Sequence, residues 1–221
     1  MSREHWDALA LSVQVAVVAT FLNAVLGIPL AYVLARRVFR GKTVIDLLIT
    51  LPLVLPPTVT GYYLIVLLGR RGWLGGPLYD LTGWTVAFTW YAAVVAATVM
   101  ALPLLVRTAR AAIESVDRDL EKAAYTLGRP EWRTALEVTL PLAGRGILAG
   151  LVLAFARALG EFGATLMLAG NIPGRTQTVP LAIYTAVQTG EAAEALVLVA
   201  ALTALSCAVL LAAGRLGARA A

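Results

Sequence analysis

The sequence predicts an all-α protein: a polytopic membrane bundle of five transmembrane helices, or six, in a single domain over residues 1–221. Composition is the first reason, because 60% of the residues are hydrophobic and only 14% are charged, against about 45–50% and about 25% in soluble domains. The second reason is a mean hydropathy of +0.81. The third is that apolar residues form five runs close to the roughly 20 residues that a helix needs to cross a bilayer.

The five predicted spans are separated by short polar connections and one long polar insert. In chain order they are Ala8–Ala35, Thr43–Leu68, Trp84–Val106, Ile147–Leu168 and Ala195–Ala213. A shorter apolar stretch, Val179–Val187, is predicted to be re-entrant or interfacial, and only a bundle of six requires it to cross. The first span is longer than the ~7–15-residue apolar region of a signal peptide and has no positive flank, so we expect it to be retained.

Basic residues predict the orientation in the membrane. Five spans place residues 36–42, 107–145 and 214–221 on one side, where they hold thirteen of the 18 Lys and Arg, and leave four on the other side. The positive-inside rule then predicts a cell-membrane protein with its N-terminus outside and its C-terminus in the cytoplasm. The net charge of +5 therefore indicates topology, and we expect no nucleic-acid partner.

The composition argues against several classes of site. His5 and Cys207 are the only histidine and cysteine, which argues against a metal site, a disulfide framework and a histidine-based catalytic arrangement. Gly41-Lys42-Thr43 matches the end of a phosphate-binding loop, but Arg36 stands where the motif requires glycine. We therefore expect a non-catalytic chain with no cofactor and no nucleotide site.

The second predicted span carries helix-breaking and polar residues near its middle. They are Thr50, Pro52, Pro56, Pro57, Thr58 and Thr60. An interior proline costs a helix about 3 kcal/mol, and membranes tolerate it where neighbouring helices or a cavity satisfy the freed carbonyl groups. The segment is either a kinked packing helix or a broken helix that lines a pathway for an anion. We favour the second alternative and predict Pro56, Pro57, Thr58 and Thr60 as pathway residues.

The fourth predicted span contains two ionisable residues, Arg157 and Glu161. A spacing of four places them on one helix face, where they can form an ion pair, and ionisable groups at membrane depth usually face a bundle interior or a cavity. The pair is either structural or part of a gate that opens the pathway. Gly160 and Gly163 flank Glu161 and allow another backbone to approach closely.

The polar insert, residues 107–145, holds seven basic and six acidic residues. A first helix is predicted over Val116–Leu127, since its apolar residues recur at helical spacing. Gly128 predicts a turn, and a second short helix is predicted over Pro130–Val138, ended by Pro141. The spacing of Ala123-Ala124, Gly128 and Leu140-Pro141 resembles the EAA loop of ATP-binding-cassette importer permeases.

The resemblance implies that this insert is a cytoplasmic loop that docks in a groove of the ATPase. The residues that it assigns to coupling are Glu121, Lys122, Ala123, Ala124, Gly128, Leu140 and Pro141. The family pattern begins with Glu-Ala-Ala, whereas Lys122 occupies the Glu position here and Glu121 lies beside it. Whether Glu121 replaces the missing carboxylate is open at this point.

The resemblance extends to the membrane segments. Residues 51–61, 68–72, 156–165 and 171–178 resemble the molybdate-permease branch, and the run from residue 156 onward resembles sulfate permeases as well. The resemblance implies a permease subunit that translocates molybdate, or tungstate, into the cytoplasm; a sulfate or thiosulfate permease is the alternative. The implied partners are a second copy in a homodimer, two ATP-binding subunits and an extracytoplasmic oxyanion-binding protein, with the lipid bilayer around the dimer.

Two further questions stay open. A self-sufficient secondary transporter is a second class, but it predicts inverted repeats and coupling carboxylates near the midplane, for which only Glu161 is available. Arg70, Arg71 and Arg175 fall on the outer side. Taken one at a time, each arginine is explained as an anchor at the membrane interface. The alternative is that the arginines dock the external binding protein or form a weak funnel for an anion.

Overall fold

The computed structural model describes the backbone of residues 3–219 and the side chains of residues 3–212. Over residues 3–219 the chain is helical and contains no strand. The helices are α1 (Arg3–Arg36), α2 (Lys42–Val54), α3 (Pro57–Leu68), α4 (Gly75–Thr82), α5 (Trp90–Glu114), α6 (Arg118–Thr126), α7 (Glu131–Thr134), α8 (Leu140–Leu142), α9 (Gly144–Leu159), α10 (Gly163–Ala169), α11 (Val179–Thr189) and α12 (Ala192–Arg219). The basic side chains predicted for the tail 214–221 lie outside the described residues.

Three helices in the described part, α1, α5 and α12, are individually long and apolar enough to cross a membrane. The second and fourth predicted spans are each divided into two helices instead. The first division lies at Leu55 and Pro56, both in extended conformation, because a residue before proline is pushed out of the helical region. The second lies at residues 160–162, between α9 and α10. The second span is thus a broken helix and not a kinked continuous one.

Some predicted boundaries are wrong by several residues. The third span begins at Trp90 and not at Trp84, because the Thr89 side chain accepts a hydrogen bond from the Ala92 N–H at 3.4 Å and caps α5. Helix α5 then continues to Glu114, so the irregular part of the polar insert starts after that residue and not at residue 107. The stretch Val179–Val187 lies within α11, whose 11 residues extend about 16 Å, too short to cross a bilayer.

Small residues form the centre of the bundle, where α5 packs between α1 and α9. Ala92, Ala96 and Ala101 of α5 are fully buried, as is typical of close helix packing in membranes. Large apolar side chains lie outside; Phe21 of α1, for example, is 66% exposed. An apolar exterior around a core of small residues is the pattern expected of a protein whose surroundings are lipid.

Candidate functional site

The polar insert folds into a helical hairpin at one end of the bundle. Helix α6 begins where the Asp117 side chain accepts a hydrogen bond from the Asp119 N–H at 2.9 Å. Its last residue is Thr126, and the chain turns at Gly128, which has a φ of +78°. The Gly128 N–H donates to the Tyr125 carbonyl at 2.9 Å and the Arg129 N–H to the Ala124 carbonyl at 3.1 Å. These paired bonds close the helix through a left-handed residue, so the predicted glycine turn is confirmed.

The second half of the hairpin differs from the prediction. The helix predicted over Pro130–Val138 consists of α7 and a π-helical turn, Ala135–Thr139, and continues through α8 to Leu142. Pro141 therefore lies inside the helical segment and does not end it. Proline lacks the N–H that an α-helix needs at this point, and the Leu140 N–H bonds five residues back to the Ala135 carbonyl. Leu140 is half-buried and Pro141 is exposed.

A buried carboxylate, Glu121, connects the hairpin to the first membrane helix. Its Oε1 accepts hydrogen bonds from Arg36 Nε at 2.9 Å and from Thr139 Oγ1 at 2.6 Å. Arg36 Nη2 also donates to the Val116 carbonyl at 3.1 Å. The Arg36 and Glu121 side chains are each only 7% exposed. One charged network therefore joins the end of α1, helix α6 and the π-helical turn.

Lys122, the neighbouring residue, points away from this network. Its side chain is 70% exposed, and its Nζ lies 2.7 Å from Asp119 Oδ1. The hydrogen bond in this surface pair raises the pKa of Lys122 and lowers that of Asp119. Neighbouring residues on an α-helix lie about 100° apart, so only one of the two positions can face the bundle. Glu121 is the carboxylate that faces it.

Two anchoring residues were missed by the sequence argument. In the sequence, Arg36 indicated only the orientation and the absence of a phosphate-binding loop, and no pattern indicated Thr139, although it lies next to the Leu140-Pro141 pair. A second contact, the ion pair between Arg37 and Glu131, joins the end of α1 to α7. These contacts unite residues far apart in sequence, so local spacing could not identify them.

The hairpin carries exposed apolar side chains on the surface that faces away from the bundle. They are Leu120, Tyr125, Leu127, Trp132 and Leu136, with exposed fractions from 42% to 83%. Ala123 is exposed as well, whereas Ala124 is buried. Grouped exposed apolar residues indicate a surface that another molecule covers.

The two broken spans meet inside the bundle. A Cβ on Gly163 would lie 2.9 Å from Pro57 Cβ and 3.2 Å from the Thr58 nitrogen, and a Cβ on Gly61 would lie 2.7 Å from Met167 Cβ. The starts of α3 and α10 are therefore neighbours, and the two helices run side by side in the same direction. The prediction of a close backbone approach is confirmed at Gly163. Gly160 has only a carbonyl of its own helix nearby, at 3.7 Å.

Glu161 lies at this junction and is 2% exposed. Its Oε2 is 2.6 Å from Arg157 Nη1, so the ion pair predicted from their spacing is confirmed. Its Oε1 accepts a hydrogen bond from the Ala164 N–H at 2.8 Å and caps the first turn of α10. A carboxylate near a helix N-terminus is stabilised by the positive end of the helix dipole, so Glu161 is held from two sides.

The predicted pathway residues do not all share one surface. Pro56, Pro57 and Thr58 are exposed beside this junction. Thr60 is buried, and its hydroxyl has no hydrogen-bond partner among the described residues. Positions 58 and 60 lie about 200° apart around a helix, so Thr58 faces outward while Thr60 faces the bundle.

Comparison with known proteins places this arrangement in a family. The molybdenum transport system permease protein ModB of Escherichia coli (strain K12) is 51% identical over 193 residues, which is 86% of this chain and 84% of that protein. The sulfate transport system permease protein CysW of Synechococcus elongatus is 38% identical over 179 residues, 81% of this chain and 62% of that protein.

A solved structure has the same fold at low sequence identity. The crystal structure of a bacterial ABC transporter involved in the import of the acidic polysaccharide alginate superposes with a TM-score of 0.79 and 16% identity, covering 99% of this chain and 80% of that one. The family described as binding-protein-dependent transport system inner membrane component matches residues 27–219. This chain belongs to that family of multi-pass membrane transport proteins.

Proposed function

We propose that this chain is the permease subunit of an ATP-driven importer that moves molybdate, or tungstate, into the cytoplasm. The observation that carries the proposal is the hairpin, whose buried Glu121–Arg36 pair joins it to the first membrane helix while its apolar side stays exposed. Such a hairpin can transmit motion from a soluble partner to the membrane helices. The 51% identity to a molybdenum transport permease favours molybdate over sulfate, for which the cited relative is 38% identical.

The coupling residues have different tasks in this proposal. Glu121 and Ala124 face the bundle and hold helix α6 in place, and Gly128 closes its end. Lys122 and Ala123 lie on the exposed side, where the ATP-binding subunit contacts them. Leu140 and Pro141 form the stiff connection between the hairpin and α9. ATP hydrolysis takes place on the partner subunits, and this chain is non-catalytic.

The transport pathway runs past the junction of α3 and α10. Helix N-termini carry partial positive charge, and those of α3 and α10 lie together beside Pro56, Pro57 and Thr58. Arg157 neutralises the charge of Glu161, which would otherwise repel a dianion. The gate opens or closes when this ion pair breaks and its two residues bind other partners. Thr60 lies on the side of α3 that packs against the bundle, and it contributes to the pathway from there. A second copy of the chain supplies the opposite wall in a homodimer.

The position of the hairpin supports the proposed orientation. An ATP-binding partner places the hairpin in the cytoplasm together with the end of α1, which Arg36 joins to it. The start of α1 then lies outside, where an oxyanion-binding protein delivers the substrate. The basic residues of the 36–42 connection lie on the cytoplasmic side, in agreement with the positive-inside rule. In this arrangement residues 1–221 act as one transmembrane domain.

Uptake by proteoliposomes tests the proposal. The chain is reconstituted with its ATP-binding and oxyanion-binding partners, and labelled molybdate uptake is measured with and without ATP inside. We expect molybdate uptake that depends on ATP. Tungstate should compete strongly with molybdate and sulfate only weakly. Preferred uptake of sulfate would support the sulfate permease alternative, and uptake without ATP would support a secondary transporter.

The purified chain by itself is expected to hydrolyse no ATP. The residues Gly41-Lys42-Thr43 start helix α2 after a helix and not after a strand, unlike a phosphate-binding loop. Phosphate release is measured on a preparation checked by mass spectrometry for ATP-binding subunits. Hydrolysis above background in a preparation free of them would contradict the assignment as a non-catalytic subunit.

Gly128→Val is expected to uncouple transport without preventing membrane insertion. The φ of +78° at Gly128 costs a β-branched residue roughly 1–2 kcal/mol, while the space around its Cβ position is open. Gly144→Val is the matched control, since Gly144 has equally open surroundings but no left-handed φ. Membrane level, co-purification of the ATP-binding subunit and molybdate uptake are measured for both. Equal uptake by the two variants would show that the turn geometry is not needed for coupling.

A further inference from the structure

A cavity of about 780 Å³ lies at the end of the bundle opposite the hairpin. Three arginines line it: Arg70, Arg71 and Arg175. The cavity also touches Thr89, where α5 starts, and α5 ends next to the hairpin after 25 residues, or about 37 Å. The cavity and the hairpin are therefore separated by about the thickness of a membrane.

A tight turn presents two of the arginines. The Gly72 N–H donates to the Gly69 carbonyl at 2.8 Å, and the Trp73 and Leu74 N–H groups donate back to the Val66 and Leu67 carbonyls of α3. A Cβ on Gly69 would lie 2.4 Å from the Ile65 carbonyl oxygen, so the turn requires glycine there. These bonds occupy two carbonyls in the last turn of α3 and fix the turn against the end of that helix.

The third arginine comes from a second compact turn, after α10. The N–H groups of Arg175, Thr176 and Gln177 all donate to the Ile172 carbonyl at 2.9–3.1 Å. The buried Thr176 hydroxyl accepts a hydrogen bond from the Ile172 N–H at 3.1 Å. Between the two turns, the Phe88 N–H donates to the Leu168 carbonyl at 3.1 Å and joins the segment before α5 to α10. Three separate parts of the chain thus build one rim.

The ionisable side chains that line this cavity are all cationic. No Asp or Glu is among the lining residues, and none of the three arginines pairs with a carboxylate within residues 3–212. Arg70 stacks on the Tyr79 ring at 4.1 Å, whereas Arg71 and Arg175 are exposed and have no such stacking contact in the described part. The Thr85 hydroxyl is buried and lacks a hydrogen-bond partner in the same part of the chain. Unpaired donors around a concave surface suit a ligand that only accepts hydrogen bonds.

We propose that this cavity is an outer acceptance site for the transported tetrahedral oxyanion, held by Arg71 and Arg175. The assignment rests on the proposed function, because it takes the ligand class from the imported substrate. From the cavity, α3 leads through 12 residues, or about 18 Å, to the junction with α10. The site therefore gives an anion released at the outer surface a first binding position at the head of the pathway.

Equilibrium binding tests the site without the binding protein. The permease with its ATP-binding subunits is placed in lipid nanodiscs, and retention of labelled molybdate is measured at increasing concentration and at two salt concentrations. We expect saturable molybdate binding that is inhibited by competing tungstate and weakened by salt. Losing two exposed arginines in Arg71→Gln/Arg175→Gln should weaken it roughly five- to tenfold. The Lys double variant, which keeps the charge, should bind with intermediate affinity.

Arg3→Gln is the matched control, since Arg3 is exposed at the same end of the bundle but does not line the cavity; its binding should equal that of the unchanged protein. Absence of saturable binding would overturn the proposal, as would equal binding by the double glutamine variant. The proposal would also be overturned if the double glutamine variant bound molybdate normally but needed more binding protein for uptake. That result would identify the cavity as a protein-docking surface. ATP-driven uptake by the complete system separates the two proposals: uptake without this binding rejects only the site, and no oxyanion uptake rejects the proposed function.

Discussion

Glu121→Ala is expected to reduce molybdate uptake at least tenfold and to loosen the hairpin from the membrane helices. The change removes the partner of Arg36, whose side chain is only 7% exposed, and breaking a buried pair from one side costs about 3–5 kcal/mol. It also leaves the fully buried Thr139 hydroxyl without its acceptor. Uptake, co-purification of the ATP-binding subunit and protease sensitivity of residues 115–142 are the measurements.

Two controls make this prediction specific. Glu137→Gln removes an exposed carboxylate of the same hairpin, paired with Arg129 at 3.2 Å, and should have little effect because such surface pairs contribute about 0–1 kcal/mol. The double variant Glu121→Gln/Lys122→Glu moves the carboxylate by one residue, to the position where the family pattern has it. It should not restore uptake, because residue 122 faces away from Arg36. Restoration would show that the carboxylate acts on the ATP-binding partner and not on α1.

Arg157→Ala is expected to be the most damaging single change inside the membrane. It leaves Glu161, which is 2% exposed, as an uncompensated charge, at a cost of about 3–5 kcal/mol. Removing both charges should be less harmful than removing Arg157 alone. The double variant Arg157→Ala/Glu161→Gln should recover more than Arg157→Ala/Glu161→Ala, because glutamine can still accept the hydrogen bond from the Ala164 N–H. Membrane level and thermal stability in detergent are compared across the three variants.

Arg110→Ala provides the matched control for that series. The Arg110 side chain is 25% exposed, close to the 26% of Arg157. Its partners Asp46 and Glu114 are 40% and 45% exposed, however, and their charges can be solvated when the arginine is lost. We expect a much smaller loss of stability. Losses of equal size in the two single variants, or additive losses in the doubles, would contradict a buried Arg157–Glu161 pair.

Hydropathy and spacing were sufficient for much of the fold. The long apolar runs correspond to α1, α5 and α12, because a bilayer selects helices by length and apolar content. The glycine turn was predictable because a left-handed backbone favours glycine over every other residue. The proline cluster indicated a break near Pro56, which is where α2 ends and α3 begins. The Arg157–Glu161 pair was predictable from its spacing of four residues, and it forms although Glu161 lies just beyond Leu159, the last residue of α9.

Long-range contacts could not be read from these patterns. The break after α9 has no proline at residues 160–162, and its closeness to Pro57 depends on how α3 packs against α10. The pairing of Arg36 with Glu121 joins residues 85 positions apart. In the sequence, each of the three arginines of the outer cavity is explained by itself as an interface anchor, and only the folded chain brings them to a common rim.

Composition and local spacing were enough to predict a helical membrane protein, the positions of its apolar segments and the motif of its hairpin. Those properties depend on composition and on neighbours within a few residues, which are the scale of helix formation and membrane partitioning. That Glu121 anchors the hairpin, and not Lys122, became evident from the folded chain alone. The reason is physical: the two residues are adjacent in the chain, and the choice depends on which side of α6 packs against the end of α1, where a single buried arginine provides the partner charge.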